Sequence, residues 1–183
     1  MLSVRLEPYE YERARTIGVE RHERYRSFGD APHYALAWQR TVSSDLMDAP
    51  ELANINGALT EIAVAKLLGV YWHGHGGALD RDKRYRKTPD VGDRYEVRHV
   101  TNRDHGPIIK DSDLDVSRPY LEIWAGHVLG PRILIFGGVN ILAGWDLAET
   151  CPSCRRYEDQ AGERRRICQS HLTIPDSQGR NQQ

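Results

Sequence analysis

The chain has 183 residues, a length that favours one domain with a substantial hydrophobic core. Hydrophobic residues make up 39% and charged residues 28%, which is ordinary for a globular protein. The formal net charge of −1 argues against a protein that coats nucleic acid along its length, which would be more basic. No apolar run is long enough to span a bilayer and the first residues lack a signal-peptide core, so we expect a cytoplasmic protein with no membrane partner.

The first 48 residues predict a helical N-terminal segment. Residues 7–28 are rich in Tyr, Glu and Arg, which is typical of an exposed helix, and we expect a break near Gly18. A second helical segment is expected around Trp38. Asp48 and Pro50 then form a favourable helix start, and that helix is expected to run into the apolar segment that ends at Gly69.

Glu61 lies within this apolar helix. It shares a helical face with Ala58, Ala65 and Leu68, because residues three and four apart are neighbours on a helix. A buried carboxylate is costly unless a cation or a hydrogen-bond donor meets it. A structural salt bridge and a metal ion are both open as the partner of Glu61.

Residues 89–98 place two further carboxylates near a strand. Asp90 lies in a turn with Pro and Gly, and an alternating segment from Tyr95 follows it. Since every second side chain of a strand lies on one face, Glu96 and Arg98 are expected to point the same way, with Asp90 entering from the turn. Two carboxylates beside a cation can hold a divalent metal ion and a phosphate. The alternative is the solvated face of an edge strand.

The order of Glu61 on a buried helix, Pro89-Asp90 in a turn and Glu96-Val97-Arg98 on a strand resembles the PD-(D/E)XK nuclease superfamily, in particular its small phage-encoded members. The resemblance covers residues 50–146. It implies an α/β fold of restriction-endonuclease-like type, with a central mixed β-sheet flanked by helices, in a nuclease-like core over residues 49–148.

Two regions after the motif, residues 113–125 and 133–145, look like the strands that follow the site in such proteins. Arg98 departs from the family pattern, which usually has Lys at this position. Arginine does not give up its proton in a protein, but it can stabilise negative charge. Lys87 or Lys110 could supply a lysine from elsewhere in the chain.

The resemblance implies a metal-dependent DNA nuclease that hydrolyses phosphodiester bonds, an endonuclease of phage DNA metabolism that would act in the host cytoplasm. A bound Mg²⁺ or Mn²⁺ would generate hydroxide and stabilise the charge that develops at phosphorus. The residues that it implies for catalysis are Glu61, Asp90, Glu96 and Arg98, and the metal ligands would be Asp90, Glu96, the carbonyl of Val97 and Glu61.

Basic residues crowd around this motif. A local patch of this kind can attract phosphates although the whole chain is nearly neutral. The alternative is a solvated basic loop without a ligand. DNA is the expected partner, and a homodimer is left open. The residues expected to contact DNA are Arg84, Arg86, Lys87 and Arg103.

The three cysteines all lie near the end of the chain, as Cys151-Pro-Ser-Cys154 and, thirteen residues further on, Cys168-Gln-Ser-His171. Two ligand pairs with this spacing fit a closed tetrahedral Zn²⁺ site. Four protein ligands leave no open coordination position, so the zinc would be structural. We therefore expect a C-terminal zinc knuckle over residues 149–174, followed by a disordered polar tail at 175–183. The alternative is three ordinary thiols and a surface histidine.

Two other functions stay open. The same fold could be a catalytically inactive DNA- or protein-binding module, which Arg98 and the near-neutral charge favour. His99, Asn102 and His105 are faintly similar to an HNH-type nuclease, although the order of their residues differs from that motif. Convergence of the three carboxylates would favour the enzyme, whereas an ion pair between Arg98 and Glu61 would favour the inactive module.

Overall fold

The computed structural model describes residues 1–27, 49–74, 88–115, 121–159 and 162–174. Outside these ranges lie the helical segment predicted around Trp38, the polar tail, and three residues expected to contact DNA, namely Arg84, Arg86 and Lys87.

The described elements alternate between helices and strands. The α-helices are α1 (Pro8–Ser27), α2 (Ala49–Leu68) and α3 (Ile141–Thr150). The strands are β1 (Leu2–Arg5), β2 (Tyr95–His99), β3 (Ile108–Lys110), β4 (Glu122–Leu129), β5 (Arg132–Asn140), β6 (Arg155–Asp159) and β7 (Gly162–Arg166). Two short 3₁₀ helices span Asp111–Leu114 and Gln169–His171.

A mixed sheet with the strand order β1-β5-β4-β2 lies at the centre. Strands β2 and β4 are parallel, whereas β4 and β5, and β5 and β1, are antiparallel. The α/β architecture with a mixed sheet is therefore confirmed. Strand β1 was not predicted, since its four residues are too few to show a clear alternation.

Helix α2 covers one face of the mixed sheet, and α1 packs against α2. Leu59 of α2 packs in a buried cluster with Trp124, Ile133 and Ile135 of the central strands. On the opposite face, Ile123 packs with residues of α3 and of the β3 strand. Strands β4 and β5 are therefore buried on both sides, which explains their nearly continuous apolar sequences.

Helix α1 passes through Gly18 without the predicted break. A Cβ atom at Gly18 would lie only 2.7 Å from the backbone nitrogen of Ile55 in α2, so glycine is needed for the close approach of the two helices. Helix α2 runs uninterrupted from Ala49 to Leu68, as predicted. Gly69 ends it with a φ of +68°, and the N–H of Val70 donates to the carbonyl of Ala65 over 3.0 Å.

A second, antiparallel sheet has the strand order β3-β7-β6. Its β6-β7 ribbon comes from the predicted zinc knuckle, whereas β3 comes from the predicted nuclease-like core. Ile109 of β3 and Ile167, which follows β7, are fully buried in the same cluster as Ile123. The knuckle therefore shares both a sheet and a hydrophobic cluster with the rest of the chain.

Three strand predictions were wrong in their bounds. Strand β5 ends at Asn140, whose side chain accepts a hydrogen bond from the N–H of Ala143 over 3.2 Å and starts α3, so the second half of 133–145 is helical. Asp113 lies in a 3₁₀ helix, and β4 begins only at Glu122. Residues 70–72, whose sequence also predicts a short strand, contribute only an isolated bridge between Trp72 and Val91. Within the described ranges, none of the helices has the length and apolar character needed to cross a bilayer.

Candidate functional site

Asp90 lies in the turn that precedes β2, and this turn folds back over the strand. Its Oδ2 accepts a hydrogen bond from the N–H of Val97 over 2.9 Å. Burial, together with the negative charges of Glu96 and Glu61, raises the pKa of Asp90 well above its usual range. Glu96 and Glu61 thus lie within electrostatic range of Asp90, although among the described residues the three carboxylates do not form a group compact enough to hold a metal ion without rearrangement.

The pleat of β2 separates these carboxylates. Val97 packs with the cluster under α2, so Glu96 and Arg98, its neighbours along the strand, lie on the opposite face. Glu61 belongs to α2, which lies on the face of β2 that Val97 occupies, and its charge acts on Asp90 from that side. Strand β2 is the last strand of the mixed sheet, so Glu96 and Arg98 lie at an edge of the sheet.

Glu61 is held by a salt bridge, one of the two partners left open from the sequence. The Nη1 and Nη2 atoms of Arg21 lie 2.6 and 2.8 Å from its two carboxylate oxygens, and Trp72 Nε1 donates to it over 3.0 Å. Only 4% of Glu61 is exposed. Arg21 comes from α1 and was not predicted as a site residue. An ion pair between Arg98 and Glu61 was the arrangement expected of an inactive module. Glu61 instead pairs with Arg21.

Glu96 and Arg98 share a face, as their spacing predicted. Arg98 Nη2 lies 3.1 Å from Glu96 Oε1 and 3.0 Å from Oδ1 of Asp113, whose side chain is 1% exposed. Asp113 also accepts the backbone N–H of Lys110 over 2.9 Å. Arg98 therefore connects β2 to the 3₁₀ helix after β3. Asp113 was missed as a site residue because its segment was predicted as a strand.

Lys110 is the second cation of this region. Burial lowers its pKa, and the positive charges of Arg98 and Arg164 act in the same direction, whereas Asp113 and Glu96 oppose the shift. Lys87 and Lys110 were the two candidates for the lysine that the motif usually carries. Lys110 lies within electrostatic range of Glu96. Lys87 is outside the described residues.

The C-terminal cluster of Cys151, Cys154, Cys168 and His171 brings its four ligand atoms within 4.8 Å of one another. Among the described residues, no other group of three or more acidic, histidine or cysteine side chains is this compact. Sγ of Cys168 lies 3.7 Å from that of Cys151 and 3.6 Å from that of Cys154. Thiolates bound at about 2.3 Å to a tetrahedral Zn²⁺ would be roughly 3.8 Å apart, so the cluster could bind a metal such as zinc.

Local structure explains why these side chains meet. Cys151 follows the last residue of α3, and the N–H of Cys154 donates to its carbonyl over 3.2 Å in a tight turn. The N–H of Cys168 donates to Cys154 Sγ over 3.3 Å. A 3₁₀ helix from Gln169 then places His171, whose Nε2 is buried and has no hydrogen-bond partner among the described residues.

The two thiols of the first pair differ in acidity. The neighbouring His171 side chain lowers the pKa of Cys151 to about 6, whereas burial raises the pKa of Cys154 to about 12. Three sulfur donors and one imidazole form a donor set that suits Zn²⁺.

The remaining predicted residues have separate surroundings. Arg103 is exposed, and its Nε lies 3.9 Å from Oδ1 of Asp104. His99 stacks on His127 with ring centroids 6.0 Å apart, and burial followed by the charge of His127 lowers its pKa to about 4. His105 instead contacts Arg166, with Nη1 3.0 Å from Nδ1.

Comparisons with models of protein families, with curated proteins and with solved structures find no match for this chain. The fold and the clusters define an α/β protein with a mixed sheet, helices and a Cys₃His group that could bind a metal. The carboxylates near β2 and the Cys₃His group are the two candidate sites of the described residues.

Proposed function

We propose that the protein is a metal-dependent nuclease that hydrolyses phosphodiester bonds in DNA, built on a restriction-endonuclease-like fold. The observation that carries this proposal is the burial of Asp90 within electrostatic range of Glu96 and Glu61, next to the edge strand β2 on which Glu96 pairs with Arg98. The negative charges of Glu96 and Glu61 help to raise the pKa of Asp90, so a cation beside Asp90 would be stabilised, and oxygen ligands suit Mg²⁺ or Mn²⁺.

Each residue would have a distinct role. Asp90, Glu96 and the carbonyl of Val97 would hold the ion, which would supply a hydroxide nucleophile and stabilise charge at phosphorus. Arg98 would hold the scissile phosphate or the attacking water. Glu61 would contribute through a bound water or after Arg21 moves, because its two oxygens are already taken by Arg21 and Trp72.

Lys110 would take the place of the lysine that Arg98 replaces in the motif. Its reduced pKa reflects burial beside the cations Arg98 and Arg164, and it lies within electrostatic range of Glu96. An ammonium in this position can stabilise the charge of the phosphate transition state.

We further propose that the Cys₃His cluster holds a structural Zn²⁺. All four coordination positions would be filled by the chain, so this ion would take no part in hydrolysis. The setting in phage DNA metabolism, in the cytoplasm of the host, stays a prediction from the sequence resemblance.

A cleavage assay tests the nuclease. Supercoiled plasmid and single-stranded DNA are incubated with the protein in Mg²⁺, Mn²⁺ or EDTA. We expect cleavage with either metal and none in EDTA. Asp90→Asn and Glu96→Gln should each lower the rate by roughly a hundredfold or more, because each removes a charged metal ligand. Asp93→Asn, in the same turn but exposed, is the matched control and should cut like the wild type.

The second candidate is a catalytically inactive DNA- or protein-binding module. The observation that favours it is the internal pairing of the carboxylates, Glu61 with Arg21 and Glu96 with Arg98. Under this alternative, DNA is bound but stays intact in every metal, and Asp90→Asn leaves binding unchanged.

A further inference from the structure

The sheet formed by β3, β7 and β6 has two faces with different surroundings. One face lies against α3. There Ile109 packs beside Gly144, where an added Cβ would lie 2.8 Å from Ile109 Cδ1, and Arg165 donates to the carbonyl of Trp145 over 2.7 Å. The guanidinium of Arg165 also lies 4.1 Å from the centroid of the Trp145 ring. Helix α3 covers this face at Ile109 and Arg165, whereas Arg156 at its border is half-exposed.

The other face is basic. Residues paired across an antiparallel sheet share a face, and so do residues two apart along a strand. Lys110 pairs with Arg164, which pairs with Tyr157, and Arg166 pairs with Arg155 in the next row. The face turned away from α3 therefore presents Ile108 together with five residues that we call the basic face: Lys110, Arg155, Tyr157, Arg164 and Arg166.

The cations of the basic face act on one another and on their neighbours. The pKa of His105 is lowered by burial and by the charges of Arg166 and Arg155, against the opposing effect of Asp104. The pKa of Lys110 is lowered in part by Arg164. Positive charge is thus concentrated on this face, although the whole chain has a formal net charge of −1.

Acidic side chains of the ribbon and of α3 neutralise the opposite face. Glu149 and Glu163 lie 2.8 and 3.1 Å from nitrogens of Arg156, and 2.7 and 2.8 Å from those of Arg165. The carboxylate of Asp113, which is near Lys110, is bound by Arg98. Asp111 lies at the far end of the sheet against Gly162.

We propose that the basic face binds the sugar-phosphate backbone of DNA. Its arginines and lysine match a row of phosphates in charge, and Arg164 and Arg166 are about 6.7 Å apart along their strand. Tyr157, 37% exposed and 5.4 Å from the guanidinium of Arg166, offers a ring on which a base can stack. Lys110 joins this surface to Glu96 and Arg98, so a backbone bound there would lead to the carboxylates. The choice of DNA as occupant rests on the proposed nuclease function.

Binding is measured by fluorescence anisotropy with short labelled duplex and single-stranded DNA in buffer without Mg²⁺, Mn²⁺ or chelator, so that cleavage is prevented while the proposed structural Zn²⁺ is kept. Arg155→Ala and Arg166→Ala should each weaken binding by roughly three- to tenfold and lower the salt dependence of log Kd by about one ion. Arg156→Ala, a matched loss of charge from the opposite face of the same ribbon, should stay within about twofold of the wild type. Arg155→Lys should retain most of the affinity.

Several results would overturn the basic face as a DNA site: equal binding by Arg155→Ala and the wild type, equal weakening by Arg156→Ala, or binding of polyglutamate in preference to DNA. Because Arg155 is exposed, its variants decide the matter even if Arg166→Ala does not fold. DNA that is bound without added Mg²⁺ but stays uncut when Mg²⁺ is added would contradict the nuclease and leave this surface standing. Cleavage with unaltered binding by the arginine variants would contradict only the surface.

Discussion

An ionised Asp90 lowers the stability of the folded protein. Burial and the charges of Glu96 and Glu61 raise its pKa, which means that the folded protein binds a proton here more readily than the unfolded chain. Asp90→Asn should therefore unfold with a higher free energy than the wild type at pH 7. The difference should shrink as the pH falls through the raised pKa, because protonation then removes the same repulsion. Urea titrations of both proteins at several pH values measure this.

The control for this prediction is Asp93→Asn, which removes an exposed charge from the same turn and should change stability by less than about 0.5 kcal/mol. An Asp90→Asn protein that is less stable than the wild type at pH 7 would mean that the hydrogen bond from Val97 outweighs the repulsion.

Arg98 is expected to serve both stability and catalysis. Arg98→Ala leaves Asp113, with its side chain 1% exposed, without its cation, and should cost about 3 kcal/mol in the free energy of unfolding. Cleavage should fall by orders of magnitude if Arg98 stabilises the transition state. Arg98→Lys should keep or raise activity, because a cation is retained.

Denaturation and cleavage rates measured on the same preparations separate the two roles of Arg98. The double variant Arg98→Ala, Asp113→Asn should recover part of the lost stability without recovering activity, since the uncompensated buried charge is gone. If Arg98→Ala cuts DNA as fast as the wild type, Arg98 is structural only.

Site residues were predictable where the signal is local. The spacing of two along a strand placed Glu96 with Arg98, and the two pairs spaced like CysxxCys placed four candidate metal ligands together. Arg21 pairs with Glu61 across 40 positions in the sequence, and neither residue's spacing indicates the other. Such pairs arise from helix packing, which a local pattern does not encode.

At the scale of elements, α1 and α2 depend on a glycine contact. Gly18→Ala would place a Cβ 2.7 Å from the backbone nitrogen of Ile55, which cannot rotate away, so the helices must separate. We expect a loss of about 2 kcal/mol or more in the free energy of unfolding. Gly57→Ala, in α2 with nothing within 4 Å of the added Cβ, is the matched control and should stabilise by about 0.5–1 kcal/mol. Thermal and urea unfolding of both variants would show opposite signs.

The zinc content of the purified protein tests the proposed zinc knuckle directly. Elemental analysis of the purified protein should give one Zn²⁺ per chain, and Cys168→Ser should lose it, because metal binding supplies much of the folding energy of such a unit. Ser170→Ala, which removes a hydroxyl 3.1 Å from Cys168 Sγ, is the control and should keep zinc.

Hydrogen exchange would then show how far the damage of Cys168→Ser extends. The loss of protection should cover residues 150–174 and reach β3, which pairs with β7, while the mixed sheet stays protected. Protein that is free of zinc as purified, yet ordered and insensitive to reducing agents in this segment, would contradict the assignment.

The elements themselves were predictable to different degrees. The long apolar α2 and its glycine stop were evident, because a helix of 20 residues shows its period clearly. The apolar run from Ile133 was interpreted as a single strand, although it divides at Asn140 into β5 and α3. A short run that is buried on all sides has a similar composition whether it forms a strand or a helix. Only the capping residue Asn140 therefore indicates the boundary.

At the scale of the whole molecule, β3 connects the two candidate sites. Through β7 it holds the Cys₃His segment, and at its end Lys110 and the following 3₁₀ helix hold Arg98. A metal that stabilises the knuckle would thereby also stabilise the position of Arg98. The formal net charge of −1 is the sum of 25 basic and 26 acidic residues, so the basic face is a local excess of positive charge on a nearly neutral chain.

The stability of the whole protein against acid should depend on His99. Its pKa is lowered to about 4 by burial and by His127, whereas an unfolded histidine titrates near 6.5. The stabilisation that goes with this shift is complete above about pH 6.5 and is lost as the pH falls towards 4, because only the unfolded chain takes up the proton in that window. The loss should approach 1.4 kcal/mol per pH unit, and about 3 kcal/mol in total.

Asp90 acts with the opposite sign, since its raised pKa makes folding more favourable as the pH falls. The acid loss should therefore be steeper in Asp90→Asn than in the wild type and shallower in His99→Gln, which has no proton to bind. Free energies of unfolding from urea titrations between about pH 7 and 4 give the slopes for the three proteins. A His99→Gln protein whose stability falls with acid as steeply as that of the wild type would show that other groups control the acid limit of the fold.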